Sequence, residues 1–159
     1  MKRVEFCPMC EDYRGIKKSV REETYTVRDR QITVTGEREL CEVCGETLGS
    51  DAEDDTILNA VYAEYRRQTG LLTPDEIQAI RKRYRLSQKS FAALLGMSEA
   101  TVNRYEKGIP QEHTHDNLIR ACENPQFIRD LLERRGRLIS DWQRRRAEAA
   151  LAEGAPSAA

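Results

Sequence analysis

Residues 86–108 read LSQKSFAALLGMSEATVNRYEKG, and this stretch decides the fold of the chain. Ser87 and Ser98 each precede a short segment with helical apolar spacing, at the position where a hydroxyl group can cap the first turn of a helix. A glycine follows each segment, as it commonly does where a helix ends. The pattern predicts two short helices, 88–95 and 99–107, with a tight turn between them. Two helices joined in this way form a helix-turn-helix.

Further helices are predicted on both sides of this pair. Thr73-Pro-Asp-Glu76 is a capping box with proline at the first helical position, and it begins the helix before the pair. Apolar spacing predicts two later helices, about 116–123 and about 125–135, which makes a compact all-α domain of five helices. His113 and His115 are placed in a polar loop, as neither ligands nor catalysts. The residues expected to pack inside this domain are Phe91, Ala92, Leu95, Met97, Val102, Tyr105 and Cys122.

Four cysteines occur as two CxxC pairs, Cys7 with Cys10 and Cys41 with Cys44. A two-residue spacer lets both sulfurs of a pair reach one ion, and two such pairs complete a tetrahedral site. We therefore predict one structural metal ion per chain, held by all four thiolates, since no histidine or carboxylate suggests an open position. The predicted metal is Zn²⁺, and iron is the rival because it accepts the same four sulfurs. A disulfide or a redox pair is the alternative, which the doubled motif disfavours.

The segment between the cysteine pairs is predicted to be a β-hairpin. Val27, Ile32 and Val34 recur with strand-like spacing in a stretch rich in threonine and valine. The turn is placed at Asp29-Arg30, and the second strand is expected to continue through Leu40 into the second cysteine pair. About 50 residues bury too little apolar surface to fold alone, so metal binding is expected to supply much of the folding free energy.

Composition limits the classes of protein that this chain can represent. It has 159 residues with 26 basic and 27 acidic side chains, so its net charge of −1 does not itself indicate a nucleic-acid-binding protein. Any surface that binds DNA must therefore be positive locally. No apolar run is long enough for a membrane span, and no signal peptide is recognisable. We expect a soluble cytoplasmic protein, and we expect no enzymatic activity because no catalytic constellation is evident.

The predicted fold is mainly α with a small β zinc domain. The expected units are a four-Cys zinc-binding hairpin domain at 1–50, a linker helix at 51–70 and a helix-turn-helix domain at 71–135. A C-terminal helix and a frayed tail are expected at 136–159. The linker helix carries an apolar stripe and is expected to pack on the domain that follows it, with partner docking as the alternative; the stripe consists of Ile57, Leu58, Val61, Tyr62 and Tyr65.

Segment 86–108 resembles the Cro/repressor (XRE) type of helix-turn-helix, and its combination with the two cysteine pairs resembles the MqsA/YgiT-type zinc-finger antitoxins over about residues 5–135. The resemblance implies that the zinc domain contacts a toxin, and that a five-helix XRE-type domain dimerises and represses its own operon. It also implies that Arg104 contacts DNA. This chain has Ala100 where the family pattern has a base-reading asparagine. The zinc ligands that the resemblance implies are Cys7, Cys10, Cys41 and Cys44.

In a helix-turn-helix, the second helix enters the major groove with its N-terminal residues facing the bases. Arg104 can bind guanine through two hydrogen bonds, and Asn103 can pair with adenine. Gln88 and Lys89 are placed against phosphates. Glu106 and Lys107 are expected to be a solvated helix end. The predicted DNA-binding residues are Gln88, Lys89, Ser98, Glu99, Ala100, Thr101, Asn103 and Arg104.

The expected partners are double-stranded DNA with a palindromic operator, a second copy of the chain and a toxin protein, with no membrane. Leu131, Leu132 and Trp142 are the candidates for the surface between two copies. The predicted function is that of an antitoxin and transcriptional repressor. The sequence also leaves two alternatives open. One is a stand-alone XRE-family regulator with no toxin partner, and the other is an iron–sulfur electron carrier fused to a regulatory module.

Overall fold

The computed structural model of the protein describes residues 3–49 and 51–154. Within these residues it contains a three-stranded antiparallel sheet and seven α-helices. The chain divides into two compact units, and the division falls between Gln68 and Thr69. The predicted frayed tail falls mostly on residues 155–159, which lie outside the described part of the chain. No helix in the described residues combines the length and the hydropathy that a membrane crossing requires.

The first unit is built on the strands β1 (Val4–Cys7), β2 (Asp12–Val27) and β3 (Arg30–Cys41), in the spatial order β1-β2-β3. The predicted hairpin is present, but its turn lies one residue earlier than expected, at Arg28-Asp29, because Val27 pairs with Arg30. Arg28 has a φ of 55°, the left-handed conformation that two-residue hairpin loops commonly require.

β1 and the first half of β2 were missed by the sequence analysis. Most side chains along β2 are exposed or half-buried. The strand therefore lacks the alternation of apolar and polar residues that identifies a half-buried strand. Pairing with β1 and β3 along its whole length defines β2 as a strand, and this information is absent from local sequence.

Helix α1 (Asp51–Thr69) belongs to the first unit and packs on the hairpin. Its buried face includes Ile57, which lies so close to Gly36 of β3 that a Cβ atom there would be 2.8 Å from the isoleucine side chain. Arg38 of β3 donates hydrogen bonds to Glu23 of β2 at 2.8 Å and also bonds to Asp54 of α1. The predicted linker helix corresponds to α1, which groups with the hairpin, and Ile57 of its apolar stripe contacts Gly36.

The second unit consists of helices, and the predicted caps of the first three are confirmed. The Thr73 capping box is complete. The Ser87 hydroxyl accepts from the Ser90 amide at 3.0 Å, and the Ser98 hydroxyl accepts from the Thr101 amide at 3.1 Å. The helices are α2 (Pro74–Arg83), α3 (Gln88–Leu95), α4 (Glu99–Glu106), α5 (His113–Ala121), α6 (Pro125–Arg135) and α7 (Asp141–Glu153), with a 3-10 turn at Gly136–Leu138 before α7.

Helix α5 begins at His113, about three residues earlier than predicted, so the two histidines lie in a helix and not in a loop. His115 Nδ1 is 2.7 Å from the Tyr105 hydroxyl group. Asp116, the predicted start of the helix, is buried and accepts a hydrogen bond from the Leu72 amide at 2.9 Å. The polar His-Thr-His start of this helix has no apolar periodicity, which explains the misplaced boundary.

The helical unit has one continuous buried core to which α2 to α7 all contribute. The predicted core residues Phe91, Val102 and Cys122 are fully buried. Leu131 and Leu132 are also part of this core, at 5% and 4% exposure, so they are not available as a surface between two copies. Sequence alone does not tell which apolar residues of α6 face the core, because an apolar face suits a core and an interface equally.

Candidate metal centre and candidate nucleic-acid interface

The four cysteines of the two CxxC pairs converge at one end of the sheet. Cys7 ends β1, Cys10 lies in the loop between β1 and β2, Cys41 ends β3, and Cys44 follows in the next loop. Their sulfur atoms all lie within 4.8 Å of one another. The Sγ atoms of Cys7 and Cys44 are 3.4 Å apart, and those of Cys10 and Cys41 are 3.9 Å apart. The sheet topology thus brings together residues that are separated by 30 positions in the sequence.

These distances fit a metal centre and are too long for a disulfide bond between Cys7 and Cys44 or between Cys10 and Cys41. A disulfide requires a sulfur–sulfur distance of about 2.05 Å. A tetrahedral ion with metal–sulfur bonds of about 2.3 Å places its sulfurs about 3.8 Å apart, close to the separations observed. The four cysteines can therefore hold one metal ion. Zinc and iron both accept this donor set, so the geometry is consistent with zinc without selecting it.

The electrostatics of the cluster also favour a bound cation. Hydrogen bonds from the backbone of Cys44, and then of Val43, lower the pKa of Cys41 to about 6. In contrast, the pKa of Cys10 is raised to about 12. The main cause is the hydrogen bond between Cys10 and the Cys44 thiol, and the second cause is desolvation of Cys10. Thiols packed this closely cannot all ionise at neutral pH unless a positive charge lies among them. A bound metal ion would supply that charge and would stabilise the thiolate form of its ligands.

The predicted DNA-binding residues lie at the start of α3 and along α4. Lys89 is exposed at the start of α3. The face of α4 opposite the buried Val102 and Tyr105 is exposed or half-buried. Asn103 donates a hydrogen bond to the Gln88 side chain at 3.1 Å, which joins the two helices at this surface. The exposed members of the predicted set are Lys89, Ser98, Glu99, Ala100 and Arg104, and the half-buried members are Gln88, Thr101 and Asn103.

The chain matches the family model described as the antitoxin component of bacterial toxin-antitoxin system, MqsA, over residues 5–133. The chain belongs to the MqsA antitoxin family. Antitoxin MqsA of Escherichia coli (strain K12) is 28% identical over 130 residues, which cover 79% of this chain and 98% of the relative. The family resemblance inferred from the cysteine pairs and the capped helix pair is therefore confirmed.

The MqsA family match includes both candidate sites and ends before the last helix. All four cysteines and all eight predicted DNA-binding residues lie within residues 5–133. Residues 134–159, which contain α7, lie beyond it. The C-terminal helix is therefore a feature of this chain that the family model does not describe.

A buried ion pair beneath the α3–α4 surface was missed by the sequence analysis. Glu106, expected to be solvated, has a side chain that is only 3% exposed. It accepts hydrogen bonds from Arg81 of α2, at 2.6 and 2.9 Å, and from Gln88 at 2.9 Å. Burial alone would raise the pKa of Glu106, but these hydrogen bonds hold it below the ordinary value. The signal available in the sequence was Arg81, which lies on the apolar face of α2.

Proposed function

We propose that the protein is the antitoxin of a type II toxin–antitoxin pair and that it represses transcription by binding DNA as a homodimer. Family membership supports the antitoxin role, which is regulatory and not enzymatic. The observation that carries the DNA-binding role is the α3–α4 pair. Its two helices are capped by Ser87 and Ser98, and α4 presents exposed and half-buried polar side chains beside a buried face. This arrangement suits an XRE-type helix-turn-helix.

The four cysteines would hold one structural Zn²⁺ per chain. Cys7 and Cys41 are buried beside Leu48, so the ion would join β1, β3 and the loop after β3. A closed four-sulfur site leaves no position for a substrate or a water molecule. Its role is therefore to stabilise the end of the sheet.

The toxin-binding role is assigned to the surface around this centre. Phe6, Met9 and Tyr13 are 53%, 70% and 67% exposed, an unusual accumulation of apolar surface. The rings of Phe6 and Tyr13 contact each other edge to face, with centroids 5.8 Å apart. β1 is also an edge strand of its sheet, where an incoming chain can add main-chain hydrogen bonds. Both features support protein binding at this end of the first unit.

On DNA, α4 would enter the major groove with Arg104, Asn103 and Glu99 toward base edges, while Lys89 would contact phosphate. One small helix pair makes few contacts, so two copies on a palindrome would be needed for specific affinity. Their half-sites would lie about 34 Å apart, or a multiple of that distance.

The proposed DNA binding is tested with duplexes that carry the sequence directly upstream of the protein's own gene. We expect Arg104→Ala to weaken binding by about 1–3 kcal/mol and to relax the preference at one base position, because a bidentate contact to guanine is lost. Lys89→Ala is the matched control. It should weaken upstream and scrambled duplexes alike, because a phosphate contact carries no sequence information. Equal losses for Arg104→Ala on both duplexes would remove Arg104 from the base-reading set.

The proposed antitoxin role is tested by co-expressing the protein with the product of the neighbouring gene. A stable complex, together with relief of the growth arrest that this product causes alone, is the expected result. Specific DNA binding without such a complex or such relief would instead indicate a stand-alone regulator with a structural metal centre.

A further inference from the structure

Helix α7 is built into the helical unit although it lies beyond the family match. Ala147 and Leu151 are buried in the common core. Gln143 is 7% exposed, and its side-chain oxygen accepts a hydrogen bond from the Ser87 backbone amide at 2.8 Å. Ser87 is the N-cap of α3, so α7 is attached at the point where α3 begins.

One edge of α7 runs beside the chain segment that leads into α3. Trp142, Arg146 and Glu153 share this edge, because they are spaced by four and seven residues on a helix of 3.6 residues per turn. Near the start of α7, Trp142 and Lys89 line the same groove. At the other end, Glu153 forms an ion pair with Arg85, two residues before the N-cap of α3. The exposed edge of α7 therefore continues the surface on which α3 begins.

This edge of α7 carries the positive charge of Arg146, whose guanidinium group is positioned by an aromatic ring and not by an acidic side chain. The Arg146 guanidinium group stacks on Trp142, 4.5 Å from the ring centroid, and such stacking leaves its charge intact. Arg144 differs, because it lies on the opposite edge of α7 and forms an ion pair with Glu148 at 2.9 Å. The acidic groups on and next to the Trp142 edge are Glu153, which is paired with Arg85, and Asp141 at the first residue of α7.

We propose that Lys89, Trp142 and Arg146 form a ledge that binds the DNA phosphate backbone outside the bases read by α4. The inference rests on the proposed DNA-binding function and extends it to a helix that the family model lacks. The ledge is positive, and it continues from the start of α3, where phosphate contacts are assigned. A second copy of this chain fits less well, because a two-fold contact through this ledge would bring like charges together.

The test uses the full-length protein and duplexes of the upstream sequence, with either long or trimmed flanks, over a series of salt concentrations. Arg146→Gln should reduce the slope of log affinity against log salt by about one for each chain bound, because each phosphate contact contributes about 0.9 to that slope. Arg146→Lys should retain the slope, because it keeps the charge. Arg144→Gln is the matched control and should leave the slope unchanged. Trimming the flanks should weaken the wild type more than it weakens Arg146→Gln.

Each outcome bears on a different part of the proposal. If the wild type binds the upstream duplex and Arg146→Gln behaves as Arg144→Gln does, the ledge is overturned and the DNA-binding function stands. If the wild type binds no duplex, the proposed function and the ledge fail together. If Arg146→Gln or Trp142→Ala changes the dimerisation constant in sedimentation without changing the salt slope, the surface serves a second copy and the proposal is overturned. Circular dichroism of every variant confirms that the fold is retained.

Discussion

The ion pair between Arg81 and Glu106 links three helices of the second unit through a few side-chain atoms. Arg81 binds Glu106 with two nitrogen atoms and donates from a third to the Leu86 backbone oxygen at 2.8 Å. Gln88 connects the same carboxylate to Asn103 on the proposed DNA-binding surface. Both charges are removed from water, so their hydrogen bonds must all be made for the pair to be tolerated. The pair therefore fixes the relative positions of α2, α3 and α4.

Removing one partner of this pair should be far more harmful than removing both. We expect Arg81→Met to lower the free energy of unfolding of the helical unit by about 3–5 kcal/mol, because the Glu106 carboxylate is left buried without a cation. Arg81→Met combined with Glu106→Leu should recover most of this loss. Chemical denaturation followed by circular dichroism measures both. A double variant no more stable than the single one would show that the pair is not the source of the effect.

The same pair predicts a pH dependence. The pKa of Glu106 lies below its ordinary value of 4.5 in the folded protein. Its contribution to stability is therefore complete above pH 4.5 and is lost as the pH falls through the folded value. As the pH falls through that range, the wild type should lose more stability than the double variant, which lacks the Glu106 carboxylate. Denaturation at several pH values between 5 and about 3 measures it.

At the scale of elements, the contact between α1 and β3 depends on one glycine. Gly36 faces Ile57, and no side chain larger than hydrogen fits between the strand and the helix without a shift of the isoleucine. Arg38 reinforces the contact by binding Glu23 and Asp54. The pKa of Glu23 is lowered to about 2, mainly by its hydrogen bonds with Arg38 and secondly by its hydrogen bond with Tyr25. Close approach and a half-buried ion network thus hold the helix on the hairpin.

Adding one methyl group at this contact should destabilise the first unit. We expect Gly36→Ala to cost about 1–3 kcal/mol, because the new Cβ atom would lie 2.8 Å from Ile57. The clash should be relieved in Ile57→Ala, so Gly36→Ala should cost much less in that background. Thermal unfolding of the four proteins gives the coupling between the two positions. Purely additive effects would contradict the proposed close contact.

At the scale of the whole molecule, the two units differ in what stabilises them. The core of the helical unit contains 18 buried residues, which come from six helices and from the segments that flank them. Among residues 3–49 and 51–154, the core around the cysteines consists of Cys7, Cys41 and Leu48, with Cys10 and Ile16 packed against it. Such a small core cannot hold the end of a sheet in place, so the proposed metal ion must supply the missing stability.

Removal of the metal should therefore affect one unit and spare the other. We expect a chelator, or Cys41→Ser, to increase amide hydrogen exchange in residues 4–16 and 40–49 while the helices between residues 74 and 135 keep their protection. Cys122→Ala is the matched control, because this buried thiol lies in the helical core and should leave the metal content unchanged. Loss of protection throughout the helical unit on chelation would show that the two units do not fold independently.

Local signals in the sequence determined the helix pair and the cluster of four cysteines. Ser87 and Ser98 cap the helices that they were predicted to cap, because a cap involves only residues within one turn. The doubled CxxC spacing likewise predicted that the four cysteines meet, because the two cysteines of each pair lie within four residues and two such pairs suit one ion. The family was recognisable for the same reason, since its motifs are short and contiguous.

Only the tertiary structure shows which part of the chain each apolar helix face packs against. The stripe on α1 was recognised from its spacing, but only the short distance between Gly36 and Ile57 places it against the hairpin. The sequence predicts a surface position for Leu132 and a solvated position for Glu106, whereas both side chains are buried because other helices cover them. Helical periodicity identifies an apolar face but not what covers it, because burial depends on contacts between residues that are distant in the sequence.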